Sequence, residues 1–308
     1  MQNKTIFDFH ADDYGISQNS CNDIITLLGK DILNSISILP NMSSFDYAVQ
    51  KLKEFNAQNP GKKPQVTVHL NFMEGHCCAP VEQVPDLVDS NGYFKISWGS
   101  LFKWNYSPLA KKRIKRQLET EILAQTQKCI NAEVVQKQCL RFDGHQHTHM
   151  IPLVFKALLN ACKKLEADGC KTTFIRNTQD PVKPYYKAAR KTKGLKGTFE
   201  KINLIKCLIL NHYSKWVVCP ALKKLNLQTP YLCGVFFSGH MDSERLEKIL
   251  PYYVKKPESQ NRTIEILFHP GSVLQSEITK EFVKPDFVTF HLSQGRKIEY
   301  DSVINLNK

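Results

Sequence analysis

The sequence predicts an α/β fold, a (β/α) barrel forming one domain over residues 1–308. Three observations carry that reading. Short β-branched or aromatic runs alternate with amphipathic, helix-period runs, the pattern of βα units on a parallel sheet. The β runs end abruptly in polar residues capable of chemistry, and at least five ends carry Asp, His or Arg. An open sheet gathers its ligand groups at one switch point, whereas every strand of a barrel opens into the same mouth, so this distribution favours the barrel.

In chain order, "TIFDFHADDYG" is a strand that runs into Asp12 and Asp13, and "SISILPN" is a strand ending at Pro40 and Asn41. "SFDYAVQKLKEF" has helical periodicity. In "QVTVHLNF", Val66, Val68 and Leu70 share one face, leaving Thr67 and His69 on the other, which points inward in a barrel. "KRQLETEILAQTQKCI" is helical, and the basic run "KKRIKR", Lys111 to Arg116, reads as a solvated helix face. "CLRFDGH" ends at Asp143 and His145, where Gly144 is expected to turn the chain sharply and aim the imidazole. Pro152 opens the helix "PLVFKALLNACKKLE" at its first position. "CKTTFIRN" ends at Arg176, "DSERLEKILPYY" is helical, and "TIEILFHPG" ends at His269 before a Pro-Gly turn.

The stretch 183–235 interrupts this alternation and predicts a basic helical insertion near the mouth. Within it, residues 183–224 hold eleven Lys or Arg against Glu200 alone, a local charge of +10 in a chain of net +13. Ile202, Ile205, Leu208, Ile209 and Tyr213 form a helical stripe flanked by Lys201, Lys206 and Lys215. That stripe predicts an amphipathic helix packed on the barrel with a solvated outer face. A lid that recruits an anionic lipid or a phosphate-bearing substrate is the alternative.

Apolar residues make up 42% and charged residues 23%, ordinary for a globular protein. No apolar run approaches the ~18 residues of a membrane span. The N-terminal stretch "MQNKTIFDFHADDYG" lacks a signal-peptide core, so a cytoplasmic protein, peripheral at most to a membrane, is expected. None of the ten cysteines is spaced C-x-x-C, and they read as reduced, mostly buried thiols.

The stretch "FDGHQHTHMIP" places three of the chain's ten histidines within five positions. Neutral imidazole is the commonest side-chain metal ligand. Asp12 and Asp13 close the first strand, so one carboxylate can bind a metal while its neighbour stays free as a base. One carboxylate and two imidazoles at strand ends make a facial set with open positions, as metal hydrolases require, with a carboxylate and a histidine left to move protons. Two imidazoles favour zinc, manganese, iron or nickel over magnesium.

The segments "HADDYG", "SISILPNM", "VTVHLNF", "FDGHQHTHMIP", "FIRN", "TPYLCGVFFSGHM" and "EILFHPG" span residues 6–271. In that order they resemble the YdjC-like carbohydrate deacetylases. The resemblance implies a deformed, TIM-like (β/α) barrel and metal-dependent removal of acetyl from an N-acetylated sugar. It implies Asp13, His69 and His145 as metal ligands, Asp12 as base, His269 as acid, magnesium as the ion and a homodimer. His147 and His149 match the family pattern and, with Asn71 and Glu74, are taken as substrate-contacting or supporting groups. Arg176 orients Asp12, binds substrate or forms a structural salt bridge. His10 stands where many relatives carry a small polar residue such as Asn. The competing functions are a metal-dependent phosphoester or other amide hydrolase and a basic nucleic-acid-binding protein; for the latter no motif is present, and nucleic acid is not expected as a partner.

Overall fold

The computed structural model describes residues 7–227, 229–254, 263–282 and 284–306. Among the described residues there are seven strands: β1 (Phe7–Tyr14), β2 (Ser35–Ile38), β3 (Gln65–Leu70), β4 (Leu140–Gly144), β5 (Thr172–Ile175), β6 (Tyr231–Cys233) and β7 (Ile264–Phe268). All pair in parallel in the order β5-β4-β3-β2-β1-β7-β6, a curled half-barrel surrounded by helices. The helices are α1 (Gln18–Gly29), α2 (Phe45–Gln58), α3 (Trp98–Tyr106), α4 (Pro108–Asn131), α5 (Pro152–Ala167), α6 (Lys183–Lys191), α7 (Lys201–Tyr213), α8 (Cys219–Lys224), α9 (Ser243–Val254), α10 (Pro285–His291) and α11 (Gln294–Asn305). No described helix is long and apolar enough to cross a membrane. The stretch 183–235 contributes α6 to α8 and then β6, which rejoins the sheet against β7.

Side chains alternate along each strand, so the sheet has two chemically distinct faces. Phe9 and Ala11, Ile36 and Ile38, Val66 and Val68, Leu140 and Phe142, and Ile264 and Ile266 belong to the apolar core. Burying them supplies the main drive for folding, at about 25 cal/mol per Å² of apolar surface. Asp8, His10 and Asp12 of β1 share the opposite face with Ser35 and Ser37, Thr67 and His69, Arg141 and Asp143, and Glu265. The register sets these groups side by side: Asp8 opposite Glu265, His10 opposite Ser35, and His69 opposite Asp143.

A buried face this polar is tolerable only if its groups pair. Arg176, just past β5, supplies the compensating charge. Its guanidinium lies 2.9 and 3.0 Å from the two oxygens of Asp12, 2.9 Å from Asp143 and 2.6 Å from Glu265.

The helical insertion packs differently from the sequence expectation. Asn203, Cys207, Leu210 and Tyr213 form the buried face of α7, while Ile202, Ile205 and Leu208 of the predicted inward stripe are exposed. The inward face is held by polar contacts. Asn203 donates to the Ser238 carbonyl, and Asn211 donates to the Asp180 carbonyl at 2.8 Å. "KKRIKR" lies on α4 with only Ile114 of the run buried, a solvated face as expected.

Candidate metal and active site

The site forms where β1, β3 and β4 end. β1 carries a register shift between Ala11 and Tyr14, and Asp13 adopts a left-handed backbone with φ of 65°. The irregularity re-aims a side chain that regular pleating would send to the other face. Asp12 therefore points to Arg176, and Asp13 reaches the imidazoles. Asp13 Oδ1 lies 2.9 Å from His145 Nδ1 and 3.3 Å from His69 Nε2. Its other oxygen accepts a hydrogen bond from Arg296 of α11 at 2.9 Å.

Gly144 does its work by close approach rather than by turning. Its backbone is extended, with φ of −167°. A Cβ there would meet the His149 ring, with Nδ1 at 3.0 Å and Cβ at 3.2 Å. The turn falls instead on Gln146 and His147, with φ of 52° and 58°. Two consecutive non-glycine residues in the left-handed region hold strain that the surrounding packing must sustain.

The three histidines after β4 have separate fates. His145 is clasped between Asp13 at Nδ1 and Glu74 at Nε2, the latter at 3.0 Å. His147 is buried, lines the main cavity, and its Nδ1 has no partner. His149 donates from Nε2 to the Arg176 carbonyl at 3.0 Å, tying the loop to the end of β5. Electrostatics separates them further. Burial opposes a charged imidazole at His145, but Asp13 and Glu74 push it up to about 9. For His147 burial and Lys206 hold the ring well below its usual value, and for His149 burial, offset only in part by Asp143, brings it down to about 4. Without an ion bound, Asp13 and Glu74 thus favour the cationic form of His145, whereas burial favours the neutral form of His147 and His149.

The ligand atoms of Asp13, His69 and His145 lie within 4.8 Å of one another, all buried. The donor set fits a divalent ion. His69 Nδ1 lies 2.7 Å from Asp143 Oδ1, so a carboxylate fixes the ring and leaves Nε2 toward Asp13. This is the support that metal-ligating histidines usually receive. The charges fit as well. Burial works against a cation at His69, yet Asp143, Asp12 and Asp13 push it up to about 10. Burial works against ionisation of Asp13, yet His145, His69 and Arg296 hold its carboxyl well below the ordinary range. Positive charge is demanded where an ion would sit. Glu74, His145 and His291 form a second buried group of potential ligands that shares His145.

A cavity of about 620 Å³ opens onto this corner. Asp13, His145, His147 and His269 line it, and the insertion adds Asn203 and Lys206. Asp12 and Arg176 do not line it. Both are buried in the polar layer, where burial opposes ionisation of Asp12 but Arg176, His69 and His10 together hold it well below the carboxylate range. Arg176 is thereby a positioning group and has no surface left for substrate. Asn71 is also turned inward: its Oδ1 accepts from the backbone of Met73 and Glu74, folding the loop after β3. Glu74 supports His145 and receives His291 at 2.9 Å, and His291 with His145 holds it down to about 2 against the effect of burial.

Sequence reading alone missed four groups. Asp143 was legible only as a polar strand end. His291, Arg296 and Glu299, which lies 3.5 Å from His269 Nδ1, come from the C-terminal helices α10 and α11. The signal available was an Arg296 and a Glu299 three apart on one helix, which sequence alone reads as a surface ion pair, whereas in the structure Arg296 binds Asp13 and Glu299 binds the His269 backbone.

The profile of the YdjC-like protein family matches residues 8–305. The chain belongs to the YdjC-like family. Among its relatives, carbohydrate deacetylase 1 of Listeria innocua is 30% identical over 148 residues, 48% of this chain and 53% of that protein. A chitooligosaccharide deacetylase of Salmonella paratyphi B is 25% identical over 147 residues, 47% and 51% of the two chains. The matched region thus spans about half the length of these curated relatives. An Enterococcus faecalis crystal structure named for cellobiose-phosphate cleavage superposes with a TM-score of 0.58 at 17% identity, covering 97% of this chain and 95% of its own, a likeness of fold.

Proposed function

We propose that this YdjC-like chain is a divalent-metal-dependent hydrolase that removes the acetyl group from an N-acetylated sugar. The observation that carries the reading is the Asp13, His69 and His145 donor set at the wall of a cavity that His269 also lines. The deacetylase names of the relatives support the reaction class. The bound ion would supply Lewis acidity toward a water and the acetyl carbonyl. Two imidazole donors favour zinc or another transition ion, while family resemblance favours magnesium.

Amide hydrolysis also needs a proton acceptor and a donor for the departing amine. Family resemblance assigns Asp12 the acceptor role; in this geometry Arg176 engages both of its oxygens and it does not line the cavity, so that role requires Asp12 to exchange part of the Arg176 pair for the water. His269 is assigned the donor role, a contribution of about 10²–10⁴-fold where one group moves the proton. His147, buried and neutral with an unpartnered Nδ1, is assigned a substrate contact. Acetate release over a panel of N-acetylated sugars, after chelation and re-addition of each ion, tests the reading. Release of phosphate or another acid, without acetate from any sugar, would overturn it. A homodimer is the proposed assembly, to be checked by light scattering.

A further inference from the structure

The outward-turned face of α7 bears on where the protein works. α7 continues through a π-helical turn, Ser214–Val218, into α8. Along this rod Ile202, Ile205, Leu208 and Trp216 are 67%, 53%, 52% and 63% exposed. They recur every three to eight residues on the side opposite Asn203, Cys207 and Leu210. Lys201 and Lys215 are exposed among them, and the Lys215 ammonium sits 4.7 Å from the Trp216 ring centroid. Ten of the eleven basic residues in 183–224 are exposed, Lys206 being half-buried at the cavity. Large aliphatic side chains held outward on a helix with an interfacial Trp and dense positive charge match a surface that lies in a lipid headgroup layer.

We propose that the outer face of α7 and its π-helical extension docks on an anionic lipid surface. Charge complementarity selects this occupant. A twofold contact between copies would set the +10 segment against itself, because such an interface pairs one patch with the same patch. A nucleic acid would meet three aliphatic side chains and a single aromatic one, a poor stacking platform. Anionic headgroups answer the lysines, and the acyl boundary takes Ile205, Leu208 and Trp216. Ile202 belongs both to this face and to the cavity lining, so docking brings the cavity mouth to the lipid surface. If the deacetylase reading holds, the sugar presented there is one carried on a lipid; this consequence rests on that reading, whereas the docking does not.

The test uses the full chain with vesicles of phosphatidylcholine alone or mixed with phosphatidylglycerol. Sedimentation is expected to show binding to the anionic vesicles only, weakening as salt rises. Brominated acyl chains are expected to quench tryptophan fluorescence, and Trp216→Phe to remove that quenching while Trp98 and Trp104 remain. Lys201→Gln with Lys215→Gln should weaken partitioning roughly 20–30-fold, about fivefold for each basic side chain. Ile205→Asp with Leu208→Asp should weaken it at least tenfold, with an unchanged melting temperature because both sites are exposed. Absent binding by the parent chain, equal binding by the Ile205/Leu208 variant, or dimerisation or DNA binding through this face in its place would overturn the proposal. Acetate release over a panel of soluble and lipid-carried N-acetylated sugars, with each divalent ion re-added, is read on the same proteins. Vesicle binding without acetate release sinks the deacetylase reading alone, and acetate release without vesicle binding sinks the docking alone.

Discussion

Replacing Arg176 with Met would show how far one buried cation organises this molecule. The guanidinium is fully buried and within ion-pair distance of Asp12, Asp143 and Glu265. Met fills much of the same space, so the perturbation is mainly electrostatic. It strands three buried carboxylates with His10, His69 and Arg141 as their remaining basic neighbours. Removing one partner of a buried ion pair costs about 3–5 kcal/mol. For a chain of this size that is a fall of roughly 6–10 °C in melting temperature, at about 2 °C per kcal/mol. The pH dependence carries the diagnosis. Burial opposes ionisation of Asp12 and Asp143, but Arg176 leads the groups that hold both below the usual carboxylate value. Their contribution in the parent is therefore present above the unfolded pKa and lost as pH falls through the lower folded value. Without Arg176 the same carboxylates favour protonation in the fold, so the variant recovers stability as pH falls. The gap between parent and variant should be widest near pH 7–8 and narrow toward pH 5. Differential scanning calorimetry across that range measures it, with Arg176→Lys expected to fall between the two. A Met variant within about 1 kcal/mol of the parent, with a parallel pH profile, would refute the account.

Further outcomes are expected. Asp13→Ala, His69→Ala and His145→Ala should each lose bound divalent ion, measured by elemental mass spectrometry on folded protein; full occupancy in any two of them would remove the ligand assignment. Asp143→Asn, which alters the support of His69 and also removes a charge paired with Arg176, should weaken ion affinity about 10–100-fold by titration calorimetry, and unchanged affinity would make the His69 contact incidental. Gly144→Ala should cost about 1–3 kcal/mol in thermal unfolding because the new methyl meets the His149 ring; an unchanged melt would mean the ring gives way freely. Asp12→Asn should retain the ion and lose about 10²–10⁴-fold in turnover, whereas near-parent turnover would move the proton acceptor elsewhere.

Much of the fold was legible because it rests on local signals. Strand runs with abrupt polar ends marked β1, β2, β3, β4, β5 and β7, and Pro152 marked the start of α5. Naming Asp13, His69 and His145 as ligands came from the family resemblance, while polar groups near the ends of separate parallel strands were legible in the sequence. His291, Arg296 and Glu299 were not, because their positions depend on how α10 and α11 fold back over the cavity. Arg296 meets Asp13 across 283 positions of chain. Periodicity found the helix of α7, but only part of the predicted inward stripe faces the protein. Tyr213 of that stripe is buried, but Ile202, Ile205 and Leu208 face outward because Cys207 and Leu210 pack into the core while Asn203 and Asn211 bond the carbonyls of Ser238 and Asp180.

The sequence by itself determined the alternation of strand and helix, the polar strand ends and the residue types suited to a metal, since these follow from side-chain chemistry and short-range periodicity. Tertiary structure decided which groups are charged and which face cavity, core or solvent. His145 and His147 stand two residues apart, yet Asp13 and Glu74 favour the cation in one while burial beside Lys206 suppresses it in the other. That difference is set by neighbours distant in sequence, and burial and Coulomb interaction act through space rather than along the chain.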